Sequence, residues 1–227
     1  ESTEKLNRLS TDKAWLSFII KYHNSKQLSF QEIDERFLKK LMLTLKVKYS
    51  LSETSIMNIL VFVRLLFNRA IKYKIVSREL YPFGGDKIKI KFPETTKVGL
   101  NILEIQQIEN LINLKPSEIH TRNVWLFSFN FAGMRVSDVL RTKWSDIYDN
   151  RLHYRMHKNA KLLSLKIPEK VLKILDQYKD DKRSDDDFVF PELKKADPEN
   201  AKDLYNKRKT ATKRFNDNLK SISKKAK

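Results

Sequence analysis

Apolar residues recur at helical spacing through the first third of the chain. Between Thr11 and about Tyr73, Trp15, Phe18 and Ile19 form one group and Ile59, Phe62, Val63, Leu66, Phe67 and Ala70 another, with the i, i+3, i+4 repeat of helices that bury one face. Ser29-Phe-Gln-Glu32 and Ser50-Leu-Ser-Glu53 match the capping box, in which the hydroxyl accepts a free amide of the first turn and the Glu accepts the amide of the cap residue. Both predict helix starts, and the segment reads as all helix, in three or four pieces. Tyr81-Pro-Phe-Gly-Gly-Asp86 breaks the repeat, and the basic, prolyl, non-periodic stretch from Lys87 to Lys97 reads as a linker. A boundary near residue 93 gives two domains, 1–93 and 94–227.

The second pattern opens at Asn101-Ile-Leu-Glu104, another capping box, which starts a helix running to about Leu114, with a further helix after it. The nearly continuous apolar run from Val124 to Ala132 reads as a buried helix ending at Gly133, followed by a short helix from Val136 to Thr142. Leu152-His-Tyr-Arg-Met156 and Leu163-Ser-Leu-Lys-Ile167 alternate apolar and polar residues, as the two strands of a β-hairpin do. Glu169 to Tyr178 returns to helix, Asp185-Asp-Asp187 reads as an acidic loop facing water, Phe188-Val-Phe-Pro191 as a short apolar strand or turn, and the chain from about Ala201 as a basic helix. The fold class expected is mainly α, an all-helical domain followed by an α+β domain of helices around a small hairpin or sheet. The last helix reaches Lys227 without Gly or Pro punctuation, so the natural sequence is expected to continue.

Composition narrows the partner. The 227 residues, 41% hydrophobic, can fill one generous core or two small ones, while 46 Lys and Arg against 28 Asp and Glu leave a net charge of +18. Such a chain repels itself and releases counterions from a polyanion, so nucleic acid is the first expectation and an anionic membrane surface the second. With no run of about 18 apolar residues and no basic-then-apolar leader, neither a span nor a secretion signal is visible, and a soluble, cytoplasmic protein is expected. The absence of cysteine removes disulfides, thiolate chemistry and cysteine-based zinc sites. His23, His120, His153 and His157 lack HExxH spacing, and no metal is expected. His153 and His157 read as hairpin surface residues, and Trp125 and Trp144 as core aromatics.

The densest chemistry lies in Phe131-Ala-Gly-Met-Arg-Val-Ser-Asp-Val-Leu-Arg-Thr-Lys-Trp-Ser-Asp-Ile147. Gly133 permits a tight turn that releases Arg135 from the preceding helix, and Arg offers a planar fork of donors for two oxygens of a phosphodiester. Asp138, about one helical turn on, is spaced to hold that guanidinium or its neighbours. Taken alone, such an Arg and Asp are an ordinary surface pair. The whole run, with Leu140 and Lys143-Trp144-Ser-Asp-Ile147 following, resembles the first signature of the tyrosine recombinase (phage integrase) family. The resemblance continues into Tyr154-Arg-Met-His-Lys-Asn-Ala-Lys161, where the family's hairpin delivers a lysine. That lysine is matched by Lys158, with Lys161 as the alternative. It extends through Ile167-Pro168 and Phe188–Pro191 and covers about residues 100 to 227, whereas the N-terminal helices match the core-binding (SAM-like) domain with fewer diagnostic residues.

The resemblance implies a clamp around duplex DNA with the linker, about residues 84 to 99, crossing between its halves. It implies cleavage through a 3′-phosphotyrosyl bond without metal or nucleotide cofactor, no membrane, and a tetramer assembled on DNA when the protein is full length. Arg135, Asp138 and Lys158 would be the catalytic residues, serving integration or excision of a mobile element. The family's His-x-x-Arg box and tyrosine nucleophile are not matched: no histidine has an Arg three residues later, and the last tyrosine, Tyr205, precedes the place of that box. The fragment by itself is therefore expected to bind without cutting. The rival reading is a non-enzymatic DNA-binding regulator that kept the clamp and lost the chemistry.

Overall fold

The computed structural model describes residues 3–25, 27–96, 98–156 and 160–226. The chain divides into two compact units, Glu4–Lys97 and, in the main, Val98–Lys227. The first holds three helices, α1 (Thr3–His23), α2 (Glu35–Val47) and α3 (Glu53–Lys72). Leu38, Leu41 and Leu45 of α2 recur every three or four residues and are fully buried against Ile59, Leu60, Val63 and Phe67 of α3. Phe67 lies edge-on to Phe30, with ring centroids 4.8 Å apart, and Tyr81 and Phe83 of the following loop cover it. By length and composition α3 could also cross a bilayer, at a mean hydropathy of 1.4, although Asn58, Arg64 and Asn68 interrupt its apolar run. Eight of its residues are buried in this core instead.

Two of the expected helix starts fall elsewhere. Glu32 accepts the Ser29 amide at 2.8 Å, as a capping box requires, but the box opens only a single 3-10 turn, Phe30–Glu32. α2 begins later, where the Asp34 carboxylate accepts the Phe37 amide at 2.7 Å. Phe30 is the tertiary reason, since the turn delivers its ring to Phe67. Ser50 is in the left-handed region, φ +51°, in the turn that ends α2, where the Leu51 amide donates to the Leu45 carbonyl. The cap of α3 is Ser52, whose hydroxyl accepts the Ser55 amide.

In the second unit the Asn101 and Glu104 box forms as expected, with both reciprocal bonds present (2.9 and 2.7 Å), and opens α4 (Ile102–Glu109), shorter than its periodicity predicts. The apolar run from Val124 is the second half of a longer helix, α5 (Pro116–Asn130), begun by proline at its first turn. Then come the one-turn α6 (Val136–Val139), an antiparallel sheet of β1 (Ile147–Tyr148), β2 (Arg151–Arg155) and β3 (Leu162–Lys166) in that order, α7 (Glu169–Asp176) and the long α8 (Ala201–Lys225). β1 adds a strand to the expected hairpin. It is joined to β2 by Asp149 and Asn150, both left-handed (φ +51° and +54°), the arrangement of a two-residue hairpin turn. The register Leu152↔Leu165 and Tyr154↔Leu163 puts these residues on one face, against a core of Phe127, Phe131, Val139, Leu140, Phe190 and Leu193. The protein is thus mainly helical, with an all-helical unit followed by helices around a small sheet.

Three surface readings change. Asp187 does not face water: its carboxylate meets the buried Lys194 ammonium at 3.2 Å and accepts the Phe188 amide. Asp185 and Asp186 alone of the acidic run are exposed. His153 is half-buried and stacked on Tyr148 at 3.8 Å, while His157 lies outside the described residues. Trp144 belongs to the core, but Trp125 is only half-buried and stacks on the exposed Phe129.

Candidate functional site

The run singled out by its chemistry begins where α5 ends. Ala132 and Gly133 adopt left-handed backbone (φ +55° and +74°), and the Gly133 and Met134 amides both donate to the Ser128 carbonyl, at 3.0 and 3.1 Å. The Ser128 hydroxyl donates back to the Met134 carbonyl at 2.6 Å, closing the helix end. A methyl group on Gly133 would meet nothing within 4 Å, so glycine serves here for its torsion and not for space. Met134, Val139 and Leu140 are buried on either side. Between them the Arg135 carbonyl accepts the Asp138 and Val139 amides, at 2.8 and 2.9 Å, and starts α6. The backbone of Arg135 is therefore fixed from both directions while its side chain is exposed. Among the described residues its guanidinium forms no ion pair, which leaves the fork open to an external anion.

Asp138 is buried, 6% exposed, but it does not clasp Arg135. Both instead bear on a residue that sequence reasoning missed, Tyr154 of β2. Burial pushes the Tyr154 hydroxyl above its ordinary pKa, the Asp138 charge pushes it further, and Arg135 pulls it back. Tyr154 therefore stands within electrostatic reach of both charges. A shallow cleft beside it is lined by Asp138, Arg141, Lys143, Asp146, Tyr154 and Arg155, in which basic side chains outnumber carboxylates. Asp146 accepts the Lys143 amide at 2.8 Å, and burial holds its pKa above the usual carboxylate value against that bond. Arg155 donates to the Ala160 carbonyl at 2.7 Å, and the Met156 amide donates to the Lys161 carbonyl at 2.8 Å, so strand pairing persists past β2. Lys161 is exposed. Lys158, the lysine favoured from the sequence, lies outside the described residues.

Two polar joints hold the elements around this site, and neither had a local sequence signal. The Glu118 carboxylate of α5 accepts bonds from Lys225 (2.6 Å) and Ser221 (2.7 Å) of α8 and from the Lys115 amide (2.8 Å). The Lys225 bond first, then the Lys115 amide and Ser221, lower its pKa from about 4.5 to about 2. Further along α5, His120 lies 2.6 Å from a Glu192 oxygen and 2.8 Å from the Tyr178 hydroxyl. A carboxylate can only accept, so in neutral His120 Nε2 carries the proton and Nδ1 accepts from Tyr178. The Tyr178 oxygen in turn accepts from Asn123. Burial, in the main, raises the Tyr178 pKa to about 12. His120, which lacks an Arg three residues on, is a structural pin between α5 and the segment after α7.

Residues 1–90 match the family model described as phage integrase SAM-like domain, and residues 100–226 match that of the phage integrase family. Among solved structures, a lambda integrase dimer bound to a COC′ core site is similar with a TM-score of 0.64 and 14% identity, over 92% of this chain and 72% of that one. A lambda integrase tetramer bound to a Holliday junction gives 0.56 and 15%, over 89% and 63%, and lambda integrase bound to DNA gives 0.55 and 16%, over 89% and 70%. At these identities the likeness is one of fold. No curated protein sequence matches the chain.

Proposed function

Since the chain belongs to the phage integrase family, we propose that it is the DNA-binding portion of a site-specific tyrosine recombinase and that Arg135 is the fork that receives the scissile phosphate. One observation carries the reading: a helix-end turn fixes the backbone of an exposed, unpaired Arg135 on both sides, with Asp138 buried beneath. In the complete reaction a tyrosine oxygen attacks phosphorus, the bond from phosphorus to the 5′-oxygen breaks, and the phosphoryl group stays on the tyrosine as a 3′-phosphotyrosyl ester. Bond energy is kept in that ester and strand exchange draws on it. Arg135 neutralises the charge that builds on the non-bridging oxygens. Lys158, assigned from sequence alone, gives a proton to the departing 5′-oxygen, with Lys161 as the alternative. Asp138 supports the site through Tyr154 and the start of α6.

The related structures were solved on DNA, one as a tetramer on a junction, which supports duplex DNA as partner and a tetramer as the working assembly for integration or excision. Residues 1–227 contain no His-x-x-Arg and no tyrosine after Tyr205, so alone they bind DNA and form no covalent adduct with it. With about six to ten phosphate contacts, affinity for duplex DNA should fall roughly 10³ to 10⁵ between 50 and 200 mM salt. A binding constant indifferent to salt over that range, or a denaturation-resistant adduct from this chain, contradicts the reading.

A further inference from the structure

The lysines of α8 at 202, 209 and 213 are exposed, as a basic helix beside a polyanion would arrange them. Arg208 departs from this. It is 7% exposed, and among the described residues its guanidinium makes neither an ion pair nor a hydrogen bond. Arginine cannot shed its charge and has five N–H donors to satisfy, so enclosing it without an acceptor works against folding. The fully enclosed polar atoms lacking partners are on Asp12, Trp144, His153 and Glu192. The Arg208 fork therefore keeps a narrow opening to solvent.

The packing of α8 on α5 says where Arg208 stands. Lys225 and Ser221 of α8 bond to Glu118, and Asn218 donates to the Thr121 hydroxyl at 3.0 Å, so the two helices run antiparallel. Arg208, ten residues before Asn218, is about 15 Å back along α8 at 1.5 Å per residue. The same rise carries α5 from Thr121 to its end at Asn130, just before the chain turns at Gly133 into Arg135, and α8 also packs on α6 there. We propose that Arg208 is a phosphate-contact residue: its guanidinium receives a backbone phosphate of duplex DNA seated at Arg135, a second fork at the same site. The proposal rests on the DNA-binding reading above and adds a residue to it.

The test is Arg208→Met in the full 227-residue chain, a change that keeps the apolar stem and removes the charge. The variant should melt no lower than the parent, because an unpaired enclosed charge is gone. Its slope of log affinity against log salt should be shallower by about 0.9, equivalent to about an eightfold weaker affinity near 100 mM. A folded Arg208→Met with the parent's slope overturns the proposal and leaves a water-satisfied structural arginine. Should the methionine variant fail to fold, Arg208→Gln decides. It removes the charge and keeps hydrogen-bonding capacity, so a salt slope shallower by about 0.9 supports a phosphate contact, and the parent's slope overturns it. A parent chain that does not bind duplex DNA at all sinks the DNA-binding reading instead, which separates the two failures.

Discussion

Among the described residues, Glu118, Thr121, Asn123, Asp138, Thr142 and Arg208 are buried, and the Lys194 side chain is enclosed as well, all of them in the second unit. The first unit buries only apolar side chains: leucines of α2 against the aliphatic and aromatic residues of α3, with Phe30, Tyr81 and Phe83 around Phe67. Its side-chain hydrogen bonds lie on the surface, at helix ends as with Ser52 and Asp34 and along α1 between Arg8 and Asp12. Apolar contact is non-directional, and it suffices where an element need only be held. Where a guanidinium must leave the surface at one fixed point, directional bonds are spent on the backbone that carries it. Ser128 ties the turn at Gly133, and Glu118 and His120 pin α5 to α8 and to the segment after α7.

The largest expected effects separate the two cores. Phe67→Ala and Phe127→Ala each remove a fully buried ring and should each destabilise by roughly 3 to 5 kcal/mol. Hydrogen exchange should place the loss within residues 4–97 for the first and 98–227 for the second. Uniform loss across both units for either variant would make the chain one cooperative body and the contrast empty.

A smaller and pH-dependent effect belongs to the second unit alone. The Glu118 pKa is lowered in the fold to about 2 from about 4.5, so its contribution is complete above about 4.5 and is lost as pH falls toward 2. Glu118→Gln should lower the melting temperature of residues 98–227 at neutral pH and flatten its fall between pH 4.5 and 2, leaving residues 4–97 unaffected. An identical acid profile in the variant would place the sensitive carboxylate elsewhere.

What the sequence disclosed tracks how local each device is. The box at Asn101 and Glu104 is closed within four residues and forms as expected, whereas Ser29 and Ser50 carry the same pattern and lose the helix start to Phe30 packing and to the end of α2. The hairpin alternation is legible, while β1 is only two residues long and is marked by nothing but the turn pair Asp149 and Asn150. At the site, Gly133 and Arg135 announce themselves by type and order. Tyr154 is hidden in plain alternation, since only the fold brings a strand tyrosine to Asp138. The bond from Lys225 to Glu118 spans 107 residues, and nothing local to either forecasts it.

The central claim is that the turn at Gly133 exists to present the Arg135 fork to a phosphodiester. It is tested most directly by the rate of covalent protein–DNA adduct formation in a longer version of the protein that carries a tyrosine nucleophile, comparing Arg135 with Arg135→Lys. A compact ammonium keeps the charge and loses the bidentate geometry, so duplex affinity should hold while the adduct forms about 10² to 10³ more slowly, the loss typical of one well-placed transition-state donor. A near-normal rate with Arg135→Lys would contradict the account and place the functional arginine elsewhere.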